Sequence, residues 1–205
     1  MIKNIVFDIG MVLADFRWEA YMRDDLGFSG EVIKVFGDRL IKSELWNDFD
    51  LGVKETGVIT DEMKAKVSEY PLEAELFFER IEDIVAVYPY SRPWVQELKA
   101  RGLSVYLLSN YPRDVYSIHE KKHFDFAPFV DGKVVSGFER MSKPDPRIYR
   151  LLFERYGLDP SECVFLDDRQ VNVDAAVQQG MKGIRFDRYE DARGQLEEIL
   201  KTSGC

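Results

Sequence analysis

Ile2-Lys3-Asn4-Ile5-Val6-Phe7-Asp8-Ile9-Gly10 is a short apolar run, rich in β-branched residues, that stops on a carboxylate and a glycine. The pattern predicts a buried strand from Ile2 to Phe7 that ends in a loop. Two later stretches repeat it: Leu103 to Leu108 stops at Ser109-Asn110, and Cys163 to Leu166 stops at Asp167-Asp168. Helical stretches separate them. Pro93 opens one, with Val95 and Leu98 apolar, and Gly102 closes it; Pro146 opens another, apolar at Ile148, Leu151, Leu152 and Tyr156, and Gly157 closes it. Asn172 to Gln179 reads as a helix closed by Gly180, Gly183 to Phe186 as a strand, and Tyr189 to Lys201 as a terminal helix with Leu196, Ile199 and Leu200 apolar. Val130 to Ser136, split by Asp131-Gly132, reads as an edge strand or a hairpin. Alternating strands and helices predict an α/β fold, a doubly wound parallel sheet covered on both faces, with its ligand crevice beyond the carboxyl ends of the strands.

Between about Phe16 and Val87 the pattern is helical, broken at Gly27-Phe28-Ser29-Gly30, Gly52, Gly57 and Tyr70-Pro71, with hardly any strand-like alternation. This predicts a small helical domain, residues 16–87, inserted after the first strand, and an α/β core made of residues 1–15 and 88–205. The 205 residues, 45% hydrophobic and 32% charged, suffice for a real core. With 28 Lys plus Arg against 37 Asp plus Glu, the net charge of -9 repels phosphate backbones and anionic lipid, so neither nucleic acid nor a membrane is an expected partner. Cys163, inside an apolar run, and Cys205 make no disulfide framework and fit a reducing, cytoplasmic setting. No apolar run approaches the ~20 residues that span a bilayer, and Met1-Ile2-Lys3-Asn4 leads into a strand with no signal-peptide pattern.

Asp8, Ser109 and Asp167-Asp168 each follow an apolar strand, so a parallel sheet brings them to one edge. Lys143, in the loop Met141-Ser142-Lys143-Pro144-Asp145-Pro146, can reach the same edge, and the prolines stiffen its loop. Three carboxylates this close resist ionising together unless a cation neutralises them. With oxygen donors only, and few of them, Mg²⁺ is the natural occupant, completing its shell with water and a substrate phosphate. The lysine and a hydroxyl nearby complete an anion site.

Phe7-Asp8-Ile9-Gly10-Met11-Val12-Leu13, Leu107-Leu108-Ser109-Asn110, Ser142-Lys143-Pro144 and Phe165-Leu166-Asp167-Asp168-Arg169 with Asn172 stand in an order that resembles the haloacid dehalogenase-like (HAD) hydrolase superfamily. The resemblance covers nearly the whole chain, implies a Rossmannoid core, and makes the helical insert similar to that family's small cap. The pattern most resembles the branch with sugar-1-phosphate phosphatases and the amino-terminal phosphatase domain of epoxide hydrolases; Trp46 and the Gly52 to Thr60 stretch fit that branch's cap loosely. It implies a Mg²⁺-dependent phosphohydrolase for small phosphomonoesters, sugar phosphates first; the sequence leaves both a monomer and a homodimer open. Asp8 would take the phosphoryl group as an aspartyl-phosphate that water then hydrolyses. Ser109 and the Asn110 backbone N–H would hold phosphate oxygens, and Lys143 would neutralise Asp8 and the transferring group. Asp8, Asp168 and the Gly10 carbonyl would ligate the metal, with Asp167 and Asn172 orienting its ligands or waters.

One position departs from the family. Most of its phosphatases carry an acid two residues after the nucleophile, a group typically worth ~10²–10⁴-fold in rate. Here that residue is Gly10, followed by Met11 where Gly or Asn is usual; the expectation is slow turnover, restriction to good leaving groups, or another acid such as Asp15. The dehalogenase branch also lacks that acid but needs no metal, whereas the Asp167-Asp168 pair makes best sense around a cation. The alternatives are a catalytically weakened fold that binds a phosphorylated ligand or a protein partner, and a zinc hydrolase using His119-Glu120-Lys121-Lys122-His123 with a third ligand such as Glu139. The reading preferred for that last segment is a solvated helix end. Trp18, Tyr21, Arg39, Lys42 and Trp46 are candidates to line a substrate pocket in the insert.

Overall fold

The computed structural model describes residues 1–203; Cys205 lies outside the described residues. Its main sheet has five parallel strands, β1 (Asn4–Phe7), β4 (Ser104–Ser109), β5 (Gly132–Val135), β6 (Cys163–Asp167) and β7 (Lys182–Arg185), in the order β5-β4-β1-β6-β7. Asn4 lies opposite Ser104 on one side and Cys163 on the other, so Phe7 is level with Leu107 and Leu166, and the next residues out emerge together. The two-residue period of a strand sorts side chains between two cores. Ile5, Phe7, Val105, Leu107, Val164 and Leu166 enter one, while Val6, Tyr106, Leu108 and Phe165 enter the other.

Helices cover both faces. Six follow the insert: α6 (Ser91–Ala100), α7 (Arg113–Lys122), α8 (Ser136–Glu139), α9 (Pro146–Tyr156), α10 (Gln170–Gln178) and α11 (Tyr189–Thr202). Trp94, Val95 and Leu98 of α6 join Leu196 and Leu200 of α11 in the first core, and Ile148, Tyr149 and Leu152 of α9 join Ala176 of α10 in the second. α6 starts at Ser91, so Pro93 sits in the first turn, where a missing N–H costs nothing. Val130 to Ser136 resolves as an edge strand rather than a hairpin, since β5 runs parallel to β4. Among the described residues no helix is long and apolar enough to cross a membrane. Cys163 is unpaired and buried, and burial pushes its thiol up to about 11.

Between β2 (Ala14–Phe16) and β3 (Val85–Val87) run α1 (Trp18–Ala20), α2 (Gly30–Phe36), α3 (Glu44–Leu51), α4 (Thr56–Lys66) and α5 (Pro71–Glu79), with π-helical turns at Tyr21–Asp25 and Gly37–Ile41. β2 and β3 pair antiparallel, Ala14 opposite Val87 and Phe16 opposite Val85. This ribbon corrects the reading of 16–87 as almost free of strand; three residues are too short to show alternation. The insert packs around Phe36, Phe49, Met63 and Phe77, with Tyr21 buried and donating its hydroxyl to the Phe77 carbonyl at 2.8 Å.

Candidate active site

At the carboxyl edge of the sheet, β1 delivers Asp8, β4 delivers Ser109 and β6 delivers Asp167 and Asp168. Asp8 Oδ1 accepts from the Ile9 N–H at 2.7 Å and from Ser109 Oγ at 2.7 Å, and lies 2.9 Å from Lys143 Nζ. Lys143 Nζ also donates to Asp167 Oδ2 at 2.6 Å, and the lysine is buried. Its loop is held by a reciprocal pair: the Lys143 N–H donates to Asn110 Oδ1 at 2.8 Å, and Asn110 Nδ2 donates to the Lys143 carbonyl at 3.0 Å. Asp145 caps the next helix, accepting from the Arg147 N–H at 2.9 Å, so the lysine loop is fixed at both ends. Asn172 Nδ2 donates to Asp167 Oδ1 at 2.9 Å and Oδ2 at 3.1 Å, and the Arg169 N–H donates to Oδ1 at 2.8 Å. Thus the structure brings Asp8, Ser109, Asn110, Lys143, Asp167, Asp168 and Asn172 together, with Gly10 bordering the same cleft.

The electrostatics are those of three carboxylates crowded around one buried ammonium. Burial, and then the charges of Asp167 and Asp168, push Asp8 up to about 7 against the pull of Lys143 and the Ser109 hydrogen bond. Burial and the Asp167 charge likewise raise Asp168. Burial works against the charge on Lys143, but Asp8 and Asp167 outweigh it and keep the ammonium above its ordinary value. Asp8, Asp167 and Asp168 offer oxygens that all lie within 4.8 Å of one another, the one such group among the described residues. Asp8 Oδ2 makes no hydrogen bond to the protein among the described residues, and Asn172 Oδ1, on the cleft wall, is buried without a partner. An all-oxygen donor set beside an orphaned acceptor, which a metal-bound water could satisfy, suits a hard divalent cation.

The Asp8–Gly10 turn is closed by the Ile9 carbonyl, which accepts from the N–H groups of Val12, Leu13 and Ala14 at 3.3, 2.8 and 2.8 Å. Met11 takes φ 59° in that turn. Asp15, the expected stand-in acid, is on β2 opposite Ala86 and is not among the cleft residues. A different carboxylate borders the cleft: Asp50, near the end of α3, where burial and the charge of Asp8 push it up to about 8 against Arg169 and Lys143. The sequence reading missed it because an acid beside Asp48 on a short helix passes for a solvated face. The available signal was Trp46, Asn47 and Asp50 at i, i+1 and i+4, one face of that helix, and all three line the cleft. Of the other insert candidates, Arg39 pairs with Glu69 at 2.6 Å, and Trp18, Tyr21, Arg39 and Lys42 do not line the cleft.

Among the described residues the zinc-like segment gathers no set of three metal-ligating side chains. His119 is fully buried, and its Nδ1 lies 2.5 Å from the Tyr111 hydroxyl; burial, then His123, push its imidazole down to about 4. Glu139 is held by Arg155 at 2.7 Å. This also corrects the picture of a solvated helix end: Lys121 and Lys122 are exposed, but His119 belongs to the core.

The profile of the haloacid dehalogenase-like hydrolase family matches residues 2–180. The chain belongs to this family of hydrolases. It is 31% identical over 216 residues to acyl-CoA dehydrogenase family member 10 of Mus musculus, covering 97% of this chain but only 19% of that protein. It is 26% identical to a sesquiterpene phosphatase of Aspergillus oryzae, covering 99% of this chain and 97% of that one. Among solved structures, a HAD enzyme of Bacteroides thetaiotaomicron in complex with magnesium and inorganic phosphate superposes with a TM-score of 0.71 at 20% identity, covering 90% of this chain and 94% of that one. The HAD hydrolase fold therefore accounts for the order of the four boxes and for their convergence.

Proposed function

We propose that this HAD hydrolase cleaves small phosphomonoesters, with Asp8 as the nucleophile and Mg²⁺ as cofactor. One observation carries the reading: Asp8 is fixed through Oδ1 by Ser109, Lys143 and the Ile9 N–H while Oδ2, bordering the cleft, makes no hydrogen bond to the protein among the described residues. A carboxylate so oriented can attack phosphorus. Ser109 and the Asn110 N–H receive phosphate oxygens, and Lys143 offsets charge as it spreads over them. Asp8, Asp168 and the Gly10 carbonyl would hold the cation, and Asp167 and Asn172 would orient its waters; when bound, the ion draws charge from the phosphoryl oxygens. Residues 16–87 act as a cap over the cleft, contributing Trp46, Asn47 and Asp50 and keeping water from the intermediate. The free, buried Cys163 is in keeping with a cytoplasmic setting.

Sugar phosphates are the substrates the family branch suggests. A second reading is favoured by the wall of the cleft, where Phe16, Trp46, Ile84, Val85 and Val115 present hydrocarbon to the leaving group. An ester with an apolar alkyl or aryl portion matches that wall better than a polyol does, in keeping with the name of the sesquiterpene phosphatase relative. The test is phosphate release from sugar, prenyl and aryl phosphates, with and without Mg²⁺, by wild type and Asp8→Asn. Turnover that needs both Mg²⁺ and Asp8 supports the reading. If no ester is turned over but a phosphorylated ligand still binds, the chain is a binding protein on a HAD fold.

A further inference from the structure

Phosphoryl transfer to Asp8 needs a proton for the departing oxygen, and hydrolysis of the intermediate needs a base for water. Gly10 supplies neither, and a Cβ built there would meet nothing within 4 Å, so the space beside the nucleophile is open. Three carboxyl groups border the cleft among the described residues: Asp8, Asp50 and Asp168. The first and third belong to the nucleophile and the cation cluster, which leaves Asp50. Its side chain makes no hydrogen bond or ion pair to the protein among the described residues.

The backbone pins Asp50 in place. Its carbonyl accepts from Ser136 Oγ at 2.5 Å, and the same hydroxyl oxygen accepts from the Tyr111 N–H at 2.8 Å, one residue beyond Asn110. Two residues on, Gly52 closes α3 at φ +65° against the backbone of Gly137, where a Cβ would lie 2.5 Å from the Gly137 carbonyl oxygen. The end of α3 that carries Asp50 is therefore fastened to the loop that presents Ser109 and Asn110. The groups that bear on its carboxyl are Asp8, Lys143 and Arg169, with Tyr111 beside it.

We propose that Asp50 is the general acid and base of this hydrolase, reaching the reacting phosphate from the insert in place of an acid at Gly10. The assignment rests on the phosphomonoesterase reading above. Asp8 attacks phosphorus; the bond from phosphorus to the ester oxygen breaks, its electron pair stays on that oxygen, and the oxygen takes the Asp50 proton to leave as an alcohol. Water then attacks the phosphorus of the aspartyl-phosphate and gives its proton to the Asp50 carboxylate. The bond from phosphorus to Asp8 breaks, releasing inorganic phosphate and restoring both aspartates. Burial and the charge of Asp8 both favour the protonated form of Asp50, the form the first step needs.

The experiment compares kcat/KM of wild type, Asp50→Asn and Asp50→Ser on an alkyl phosphate, whose leaving oxygen needs a proton, and on p-nitrophenyl phosphate, whose leaving oxygen does not. Because kcat/KM reports events up to formation of the aspartyl-phosphate, a role in the later step does not blur the comparison. Thermal melting establishes that each variant is folded, and Asp50→Ser stands in if Asp50→Asn is not. The expected result is a fall of about 10²–10⁴-fold on the alkyl ester with at most about a tenfold fall on the aryl ester. Equal losses on both esters, or no loss on either, overturn the assignment of Asp50 and leave the phosphatase reading standing. A wild type inactive on both esters overturns the phosphatase reading and the assignment with it.

Discussion

Replacing Lys143 with Met keeps the hydrocarbon stem and removes one buried charge from between two others. Lys143 is 1% exposed, Asp167 0% and Asp8 11%, with Nζ 2.6 Å and 2.9 Å from their oxygens. Removing one member of such a group typically costs about 3–5 kcal/mol, because the opposite charge stays buried without its partner. Asp167 retains its bonds from Asn172 and Arg169, and Asp8 retains those from Ser109 and Ile9, which holds the expected loss near the lower figure, about 3 kcal/mol. A domain stability of about 5–15 kcal/mol leaves the variant folded over most of that range. The loss must also depend on pH. Near pH 4 carboxyl groups of the unfolded chain take up protons, so a fold that shelters neutral acids is penalised little; the penalty grows as pH rises and the unfolded chain holds its carboxylates ionised while the fold resists doing so. Urea unfolding of wild type and Lys143→Met at pH 4, 6 and 8 reads the difference directly. A loss that is the same at all three values, or below about 1 kcal/mol at pH 8, refutes the placement of Lys143 as the charge that makes the two aspartates tolerable.

His119 gives a second pH signature: its depressed pKa, about 4 in the fold, means its contribution is whole above the ordinary value near 6.5 and is lost as pH falls through about 4, up to about 3 kcal/mol, so melting of His119→Gln should lack the wild type's loss across that window. Gly52→Ala combines a left-handed backbone with a Cβ driven against the Gly137 carbonyl; unfolding should show a loss of about 2–4 kcal/mol, with alkyl phosphate turnover falling more than aryl as Asp50 shifts. Met11→Gly relieves a non-glycine residue at φ 59° and should raise Tm by about 2–4 °C, measured by calorimetry.

The parallel sheet and the convergence of Asp8, Ser109 and Asp167 were legible because each rests on a local signal, an apolar strand that ends on a polar residue, and Lys143 was legible from its proline-stiffened loop. Parallel pairing in register then carries those signals to one edge. Asp50 was not legible, because its role depends on where a short helix of the insert docks, and that is set by contacts with Ser136 and Gly137, distant in sequence. The pairing of Val85–Val87 with Ala14–Phe16 was hidden for a similar reason, a ribbon three residues wide whose partners are far apart. His119 deceived in the opposite direction. A motif with the spacing of a metal site here holds a buried core histidine whose Nδ1 meets the Tyr111 hydroxyl.

β1, at the centre of the sheet, is made early and completed late. Phe7 pairs with Leu107 on one flank and Leu166 on the other, the latter 159 positions further along the chain. At ~5–20 residues per second, a ribosome needs roughly 8–30 s to bridge that gap. Throughout that interval an apolar strand that ends in Asp8 has at least one open edge, and both until β4 is made, the kind of surface that chaperones hold and that neighbouring nascent chains can join. Limited proteolysis of ribosome-bound chains should find the segment around Asp8 cleavable until β6 has emerged, and protection before that length would show that β1 finds another partner first.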